Sequence, residues 1–150
     1  MPAALAEVAE HPFLRGLNER HFEALAACAM RLHFNAGDVI FREGDPANRF
    51  YLIIKGKIAI ESDSGEKRLT VQTVGAGNVL GWSWLFPPYY LHFNARALEP
   101  TEVMFFYGTR LREMCDEDPE LGYEMLKRIA KVVIERLVTT EKKLLTQIRS

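Results

Sequence analysis

Glycine punctuates the middle of this chain so closely that a helix of ordinary length, about 11 residues, has little room to form between Arg31 and Gly81. Gly37, Gly44, Gly56, Gly65 and Gly75 mark off short runs that are apolar or alternate. Arg31-Leu32-His33-Phe34 alternates, and Asn35-Ala36-Gly37-Asp38 turns the chain into Val39-Ile40-Phe41. A second turn follows at Glu43-Gly44-Asp45-Pro46. Phe50 to Ile54 is apolar on both faces, as a central strand requires. Ile58 and Ile60 alternate with Ala59 and Glu61, and Asp63-Ser64-Gly65-Glu66 is a hairpin signal before Leu69, Val71 and Thr73. His92 to Ala97 and Glu102 to Tyr107 add two more strands. Strands repeating every ~8–12 residues predict a sandwich or barrel.

The two flanks have another period. Up to about Ala29 the chain reads as helical. Asn18 is placed to cap a segment in which Phe22, Leu25 and Ala29 recur at threes and fours, and Pro12 begins a short turn before it. After the strands, Thr109 opens a short helix containing Leu111 and Met114. Asp118-Pro119-Glu120 then combines a cap, a proline at the first helical position and an acid in the first turn. Nothing breaks the helix from there to near Ser150, a length of roughly 45 Å at 1.5 Å per residue. The expected organisation is one domain over 1–150: helical over 1–29, β-barrel over 31–107, helical arm over 109–150.

That last helix outreaches a barrel of this size. Leu121, Met125, Ile129 and Val132 have the spacing of a face lying on the barrel. Leu126, Val133, Leu137, Thr140 and Leu144 have the spacing of a coiled-coil seam, with Glu135, Arg136, Glu141, Lys142 and Lys143 keeping the rest polar. The expectation is a homodimer through this helix. One broad amphipathic face within a single chain is the other reading.

Composition excludes several function classes. Nineteen Lys and Arg against 20 Asp and Glu give a net charge of −1, so no global field draws nucleic acid or an acidic membrane. Cys28 and Cys115 are too far apart for a zinc pattern and read as two buried thiols. His11, His21, His33 and His92 are scattered, where a barrel metalloenzyme needs a cluster. Neither a Gly-x-Ser-x-Gly elbow nor a phosphate-cradling glycine loop is present. No catalytic or metal site is therefore expected. The first residues lack a basic stretch followed by an apolar one, and no apolar run nears the ~20 residues of a membrane helix. The expectation is a cytoplasmic protein with no membrane partner.

Gly37-Asp38-Val39-Ile40-Phe41-Arg42-Glu43-Gly44-Asp45, followed by Phe50-Tyr51-Leu52-Ile53-Ile54-Lys55-Gly56, resembles the cyclic nucleotide-binding domain family, the sensor fold of catabolite activator-type regulators, kinase regulatory subunits and gated channels. The likeness continues through Gly75-Ala76-Gly77-Asn78-Val79-Leu80-Gly81 and resumes at Ala95-Arg96-Ala97-Leu98-Glu99-Pro100-Thr101-Glu102-Val103. It implies a mainly β fold: a double-stranded β-helix, or jelly-roll, barrel with N-terminal helices and a long C-terminal helix. It also implies a sensory or regulatory role. The helix-turn-helix of the transcription factors in that family would follow the long helix, where this sequence ends, so these 150 residues are not expected to read DNA alone.

The resemblance places a phosphate-binding cassette after Gly81. Family members usually carry Glu next, for the ribose 2′-hydroxyl, and Arg ten positions after the glycine, for the cyclic phosphate. Here those positions hold Trp82 and Leu91. Losing both selective groups argues against tight binding of cyclic AMP or cyclic GMP by the usual contacts. What remains is rich in large aromatics, and Gly81, Trp82, Ser83, Trp84, Tyr89, Tyr90, Leu91, His92 and Phe93 form the candidate ligand-binding set, with Phe86 also in the run. One reading is a pocket for an unidentified apolar or aromatic ligand, with Ser83 and His92 as polar contacts. Another is a pocket filled by its own side chains, leaving a dimerisation scaffold. A third is a cyclic nucleotide held by rearranged contacts. No cofactor is implied. Arg96 is expected to be solvated.

Overall fold

The computed structural model describes residues 5–64 and 67–149. Helices α1 (Leu5–Glu10) and α2 (Glu19–Ala26) precede eight strands: β1 (Met30–Phe34), β2 (Val39–Phe41), β3 (Arg49–Lys55), β4 (Lys57–Ser64), β5 (Lys67–Gly75), β6 (Val79–Leu80), β7 (Asn94–Ala97) and β8 (Thr101–Tyr107). A 3-10 turn over Trp82–Leu85 lies between β6 and β7, and α3 (Gly108–Glu117) and α4 (Pro119–Arg149) end the chain. The turn of the expected hairpin, Gly65-Glu66, lies outside the described residues, but the strands that it joins pair antiparallel from Lys57↔Gly75 to Ser64↔Lys67.

Two four-stranded antiparallel sheets, in the orders β1-β8-β3-β6 and β2-β7-β4-β5, face each other as the walls of a jelly roll. Tyr51, Ile53, Ile58, Ile60, Leu80, Ala95, Val103 and Phe105 fill the space between them. The alternate residues of β3 and β8 point the other way: Phe50, Leu52, Met104 and Phe106 pack with Phe13, Leu25, Trp84, Leu111, Leu121, Met125 and Ile129 from the helical ends. Strand β3 is apolar on both faces because each face has its own core, so the Phe50–Ile54 run is central as its sequence predicts. At the end of that run Ile54 is only half-buried.

Local chemistry sets the ends of these elements. Asn18 Oδ1 accepts from the His21 amide (2.8 Å) and caps α2. Asp118 Oδ1 accepts from the Leu121 amide (3.3 Å) at the start of α4. Between β3 and β4 the chain turns at Gly56, φ +114°, where a Cβ would stand 2.3 Å from Thr101 Oγ1. Only glycine fits.

The expected strand from His92 begins two residues later, at Asn94, which leaves His92 and Phe93 in the loop beside the cavity described below. Arg96 is not the solvated residue expected from sequence. Its guanidinium makes a bidentate pair with Glu61 (3.0 and 2.8 Å), and Glu61 is 3% exposed. A carboxylate this deep in the β4 strand needs a fixed cation, and the neighbouring β7 strand supplies it.

Candidate functional site

The segment after β6 is built on Gly81, whose left-handed φ of +78° starts the 3-10 turn and whose Cβ, were there one, would lie 2.8 Å from the Arg49 carbonyl. This turn sends its residues in two directions. Trp84 goes inward: it is fully buried, packs on Phe50 with ring centroids 5.7 Å apart, and belongs to the core between barrel and helices. Trp82 faces the mouth of the barrel, half-buried, with His92 at 5.8 Å and Phe86 at 6.0 Å between ring centroids.

A cavity of about 40 Å³ opens at that mouth. Gly81, Trp82, Ser83, Leu91, His92 and Phe93 line it together with Phe41, Ile60, Leu80 and Arg136. Six of the nine candidate residues are thus brought together. The other three are not. Trp84 is core, as above. Tyr89 lies under the Arg112 guanidinium, 4.3 Å from its ring centroid. Tyr90 bridges to Pro46 and is half exposed. The 3-10 turn over Trp82–Leu85 rotates successive side chains by about 120°, so Trp84 cannot face the space that Trp82 faces. Trp82 and Leu91, which the resemblance leads one to expect at the ribose and phosphate positions, both line the cavity.

Arg136 is the residue that sequence reading misses. It lies on α4 and was expected on the polar surface, yet its Nη2 donates to the Val79 carbonyl and its Nε is buried without a partner among the described residues. Desolvation alone lowers its pKa from the ordinary value to about 10, so it remains a cation at neutral pH. The signal was available: the barrel-facing stripe Leu121, Met125, Ile129, Val132 continues in steps of four to Arg136 and Thr140. Gln72 Nε2, on β5, donates to Thr140 Oγ1 (3.1 Å) and to the Arg136 carbonyl (2.9 Å), and Lys143 Nζ donates to the Val71 carbonyl (3.1 Å).

These contacts revise the expected seam. Thr140 is engaged by the barrel, and Val133 packs partly against the chain's own core. Leu126, Leu137 and Leu144 stand exposed, and their exposed apolar neighbours are Ile134, Val138, Leu145 and Ile148. The physical reason is the helical period: over three turns a 3.6-residue repeat drifts off a strict heptad, and the barrel takes one of the two stripes.

Elsewhere, α2 and the α3–α4 junction bring His21, Asp118 and Glu120 within 4.8 Å of one another. Arg20 sits among them, pairing with Asp118 (3.1 Å) and Glu120 (3.2 Å), so the cluster already has its cation and works as an inter-helix tie. The two thiols are half-buried, and burial pushes Cys115 up to about 11 and Cys28 up as well. Among the described residues no helix is long and apolar enough to cross a membrane.

Comparison with known proteins gives one consistent result. Residues 31–118 match the family model for the cyclic nucleotide-binding domain. The chain is 25% identical over 118 residues to a CRP-like cAMP-activated global transcriptional regulator of Mycobacterium tuberculosis, an alignment covering 78% of this chain and 53% of that protein. It thus spans about half the length of that regulator. Among solved structures, a putative cyclic nucleotide-binding protein from Geobacter metallireducens superposes with a TM-score of 0.82 at 29% identity, covering 90% of this chain and 98% of the other. A cyclic nucleotide-binding domain from Methylobacillus flagellatus superposes with a TM-score of 0.83 at 19% identity, covering 95% and 83%.

Proposed function

The chain belongs to the cyclic nucleotide-binding domain family, and from that premise we propose that it is a regulatory module whose pocket is rebuilt so that cyclic AMP and cyclic GMP are not its ligands. The observation that carries this reading is the size and lining of the cavity. About 40 Å³ is left where Trp82 and Leu91 stand, against the ~300 Å³ at the lower end of sites that enclose an organic ligand of nucleotide size. Trp82 presents an indole to the position of ribose recognition, and Leu91 offers no charge at the position of phosphate recognition. A hydrogen bond to a charged group contributes about 1.5–3 kcal/mol, and leaving a phosphate without its partner costs more than that.

The role we propose is sensory rather than catalytic, read out through α4. This helix carries Leu137, Leu144 and Ile148 exposed along its second half, and a second copy of the chain is the partner proposed for them. These 150 residues are proposed to act in the cytoplasm through protein contacts and not by reading DNA themselves.

The test is a thermal-shift titration with cyclic AMP and cyclic GMP of the natural sequence and of Trp82→Glu combined with Leu91→Arg. A ligand at a hundred times its Kd stabilises the folded state by about 2.7 kcal/mol, several degrees in Tm. The natural sequence is expected to show no shift. The double variant is expected to gain one, since the barrel around both positions keeps the family geometry. A shift in the natural sequence sinks the proposal, whereas a double variant that folds and stays silent shows that the remodelling extends beyond these two groups.

A further inference from the structure

Arg136 holds a position that a buried cation rarely holds without a counter-charge. Its guanidinium has five N–H donors in a rigid fork. In this structure Nη2 donates to the Val79 carbonyl, while Nε is buried and unpartnered. Desolvation is the one effect that moves its ionisation, and among the described residues no carboxylate pairs with it. The buried carboxylate of Glu61 is already committed to Arg96 on both oxygens. Buried charges are otherwise paired, because desolvation without a partner is costly. A latch between α4 and the barrel would need only a neutral donor to Val79, and the neighbouring Gln72–Thr140 contact is a neutral latch of that kind.

The surroundings say what the missing counter-charge belongs to. Arg136 lines the cavity at the barrel mouth, whose other walls are largely apolar and aromatic: Phe41, Ile60, Leu80, Trp82, Leu91 and Phe93. About 40 Å³ admits a group of a few heavy atoms, since one water needs roughly 10–15 Å³ of such space. Of the lining residues, Trp82 has His92 beside it, ring centroids 5.8 Å apart, and Phe93 is 39% exposed. We infer that this cavity receives the oxyanion head of a small aromatic acid, a carboxylate or a phosphate monoester, with Arg136 of α4 as the anion's partner and the aromatic body against Trp82 and Phe93. The inference rests on the preceding reading of the pocket as rebuilt, and deepens it by naming a ligand class. The cation comes from the helix, where the cassette supplies Leu91, so occupancy is felt directly by α4. Arg is suited to the task, because its fork matches both oxygens of a carboxylate or phosphate.

The experiment is calorimetric titration of the full chain at neutral pH with benzoate, phenyl phosphate and inorganic phosphate, with tryptophan emission followed in parallel. The proteins compared are the natural sequence, Arg136→Gln and Arg136→Lys. Saturable binding of benzoate or phenyl phosphate to the natural sequence is expected, with a change in emission from Trp82. Affinity should fall about tenfold or more in Arg136→Gln and recover in part in Arg136→Lys. Which of the two aromatic probes binds more tightly assigns the head group. The inference is overturned if none of the three probes binds saturably up to about 10 mM, the weak end of specific recognition, or if Arg136→Gln binds as well as the natural sequence. Should circular dichroism show Arg136→Gln unfolded, Arg136→Lys decides: weaker binding with a folded barrel supports the assignment and unchanged binding overturns it. Cyclic AMP is titrated alongside. If it binds and Arg136→Gln abolishes that binding, the exclusion of cyclic nucleotides fails while the role of Arg136 stands.

Discussion

Trp82 and Trp84 are two residues apart and have opposite duties, one at the cavity and one in the core, because a 3-10 turn separates them by about two-thirds of a revolution. The same logic of position applies to His11. Its ring is 5% exposed, with Nε2 on the Ile53 carbonyl (3.1 Å) and Nδ1 accepting from the Phe13 amide (3.1 Å), which fixes the neutral tautomer that donates from Nε2. Desolvation lowers its pKa below the ordinary 6.5. Below pH 6.5 the unfolded chain therefore binds more protons than the folded one, and stability rises with pH in that window. Urea unfolding is expected to show a contribution fully present above pH 6.5 and lost as pH falls below it. A His11→Gln variant should lose that part of the pH dependence, and an unchanged profile would contradict the assignment. At the barrel, Leu52 is fully buried in the core beneath the helices, and Leu52→Ala should cost about 2–5 kcal/mol by denaturant unfolding. Trp82 and Leu91 could be expected at the cavity because the family resemblance puts its two ligand-recognition positions at fixed steps from a glycine that Gly81 resembles. Tyr89 and Tyr90 could not, since the direction of a loop side chain is decided by what packs on it: Arg112 over Tyr89, and the Pro46 bridge at Tyr90.

The elements were more readable than their contacts. Both helix starts at Asn18 and Asp118 carry capping chemistry that sequence alone announces. For α4 the length is plain in the sequence, whereas the division of its faces is not. Two apolar stripes overlap between residues 126 and 140, and a polar residue such as Arg136 or Thr140 reads as surface until its partner on another element is known. That partner is β5 or β6, 57 to 72 residues away in sequence, through Gln72, Val71 and Val79. The helix is 31 residues, about 46 Å, and Leu137, Leu144, Leu145 and Ile148 lie exposed along its second half. Self-association through this half is expected, and Leu137→Glu should dissociate it in sedimentation at about 10 µM, since each desolvated charge at such a seam is costly. A natural sequence that sediments as a monomer, or a Leu137→Glu variant that stays dimeric, would show the seam to be wrong.

On the scale of the whole molecule, the barrel was legible because its turns use glycine between short runs that are apolar or alternate, and because β3 needs apolar residues on both faces to serve two cores. The cavity was not, because it forms where three distant segments meet: the turn after β6, the loop before β7 and the middle of α4. Arg136 belongs to two parts of the molecule at once: it lines the cavity, and it lies on α4, whose second half carries exposed apolar residues. The central proposal is that this family barrel does not bind cyclic nucleotides. Calorimetric titration of the unmodified chain with cyclic AMP and cyclic GMP tests it most directly. No saturable heat is predicted up to about 1 mM, whereas a Kd of about 1 µM or tighter, near −8 kcal/mol, would contradict it.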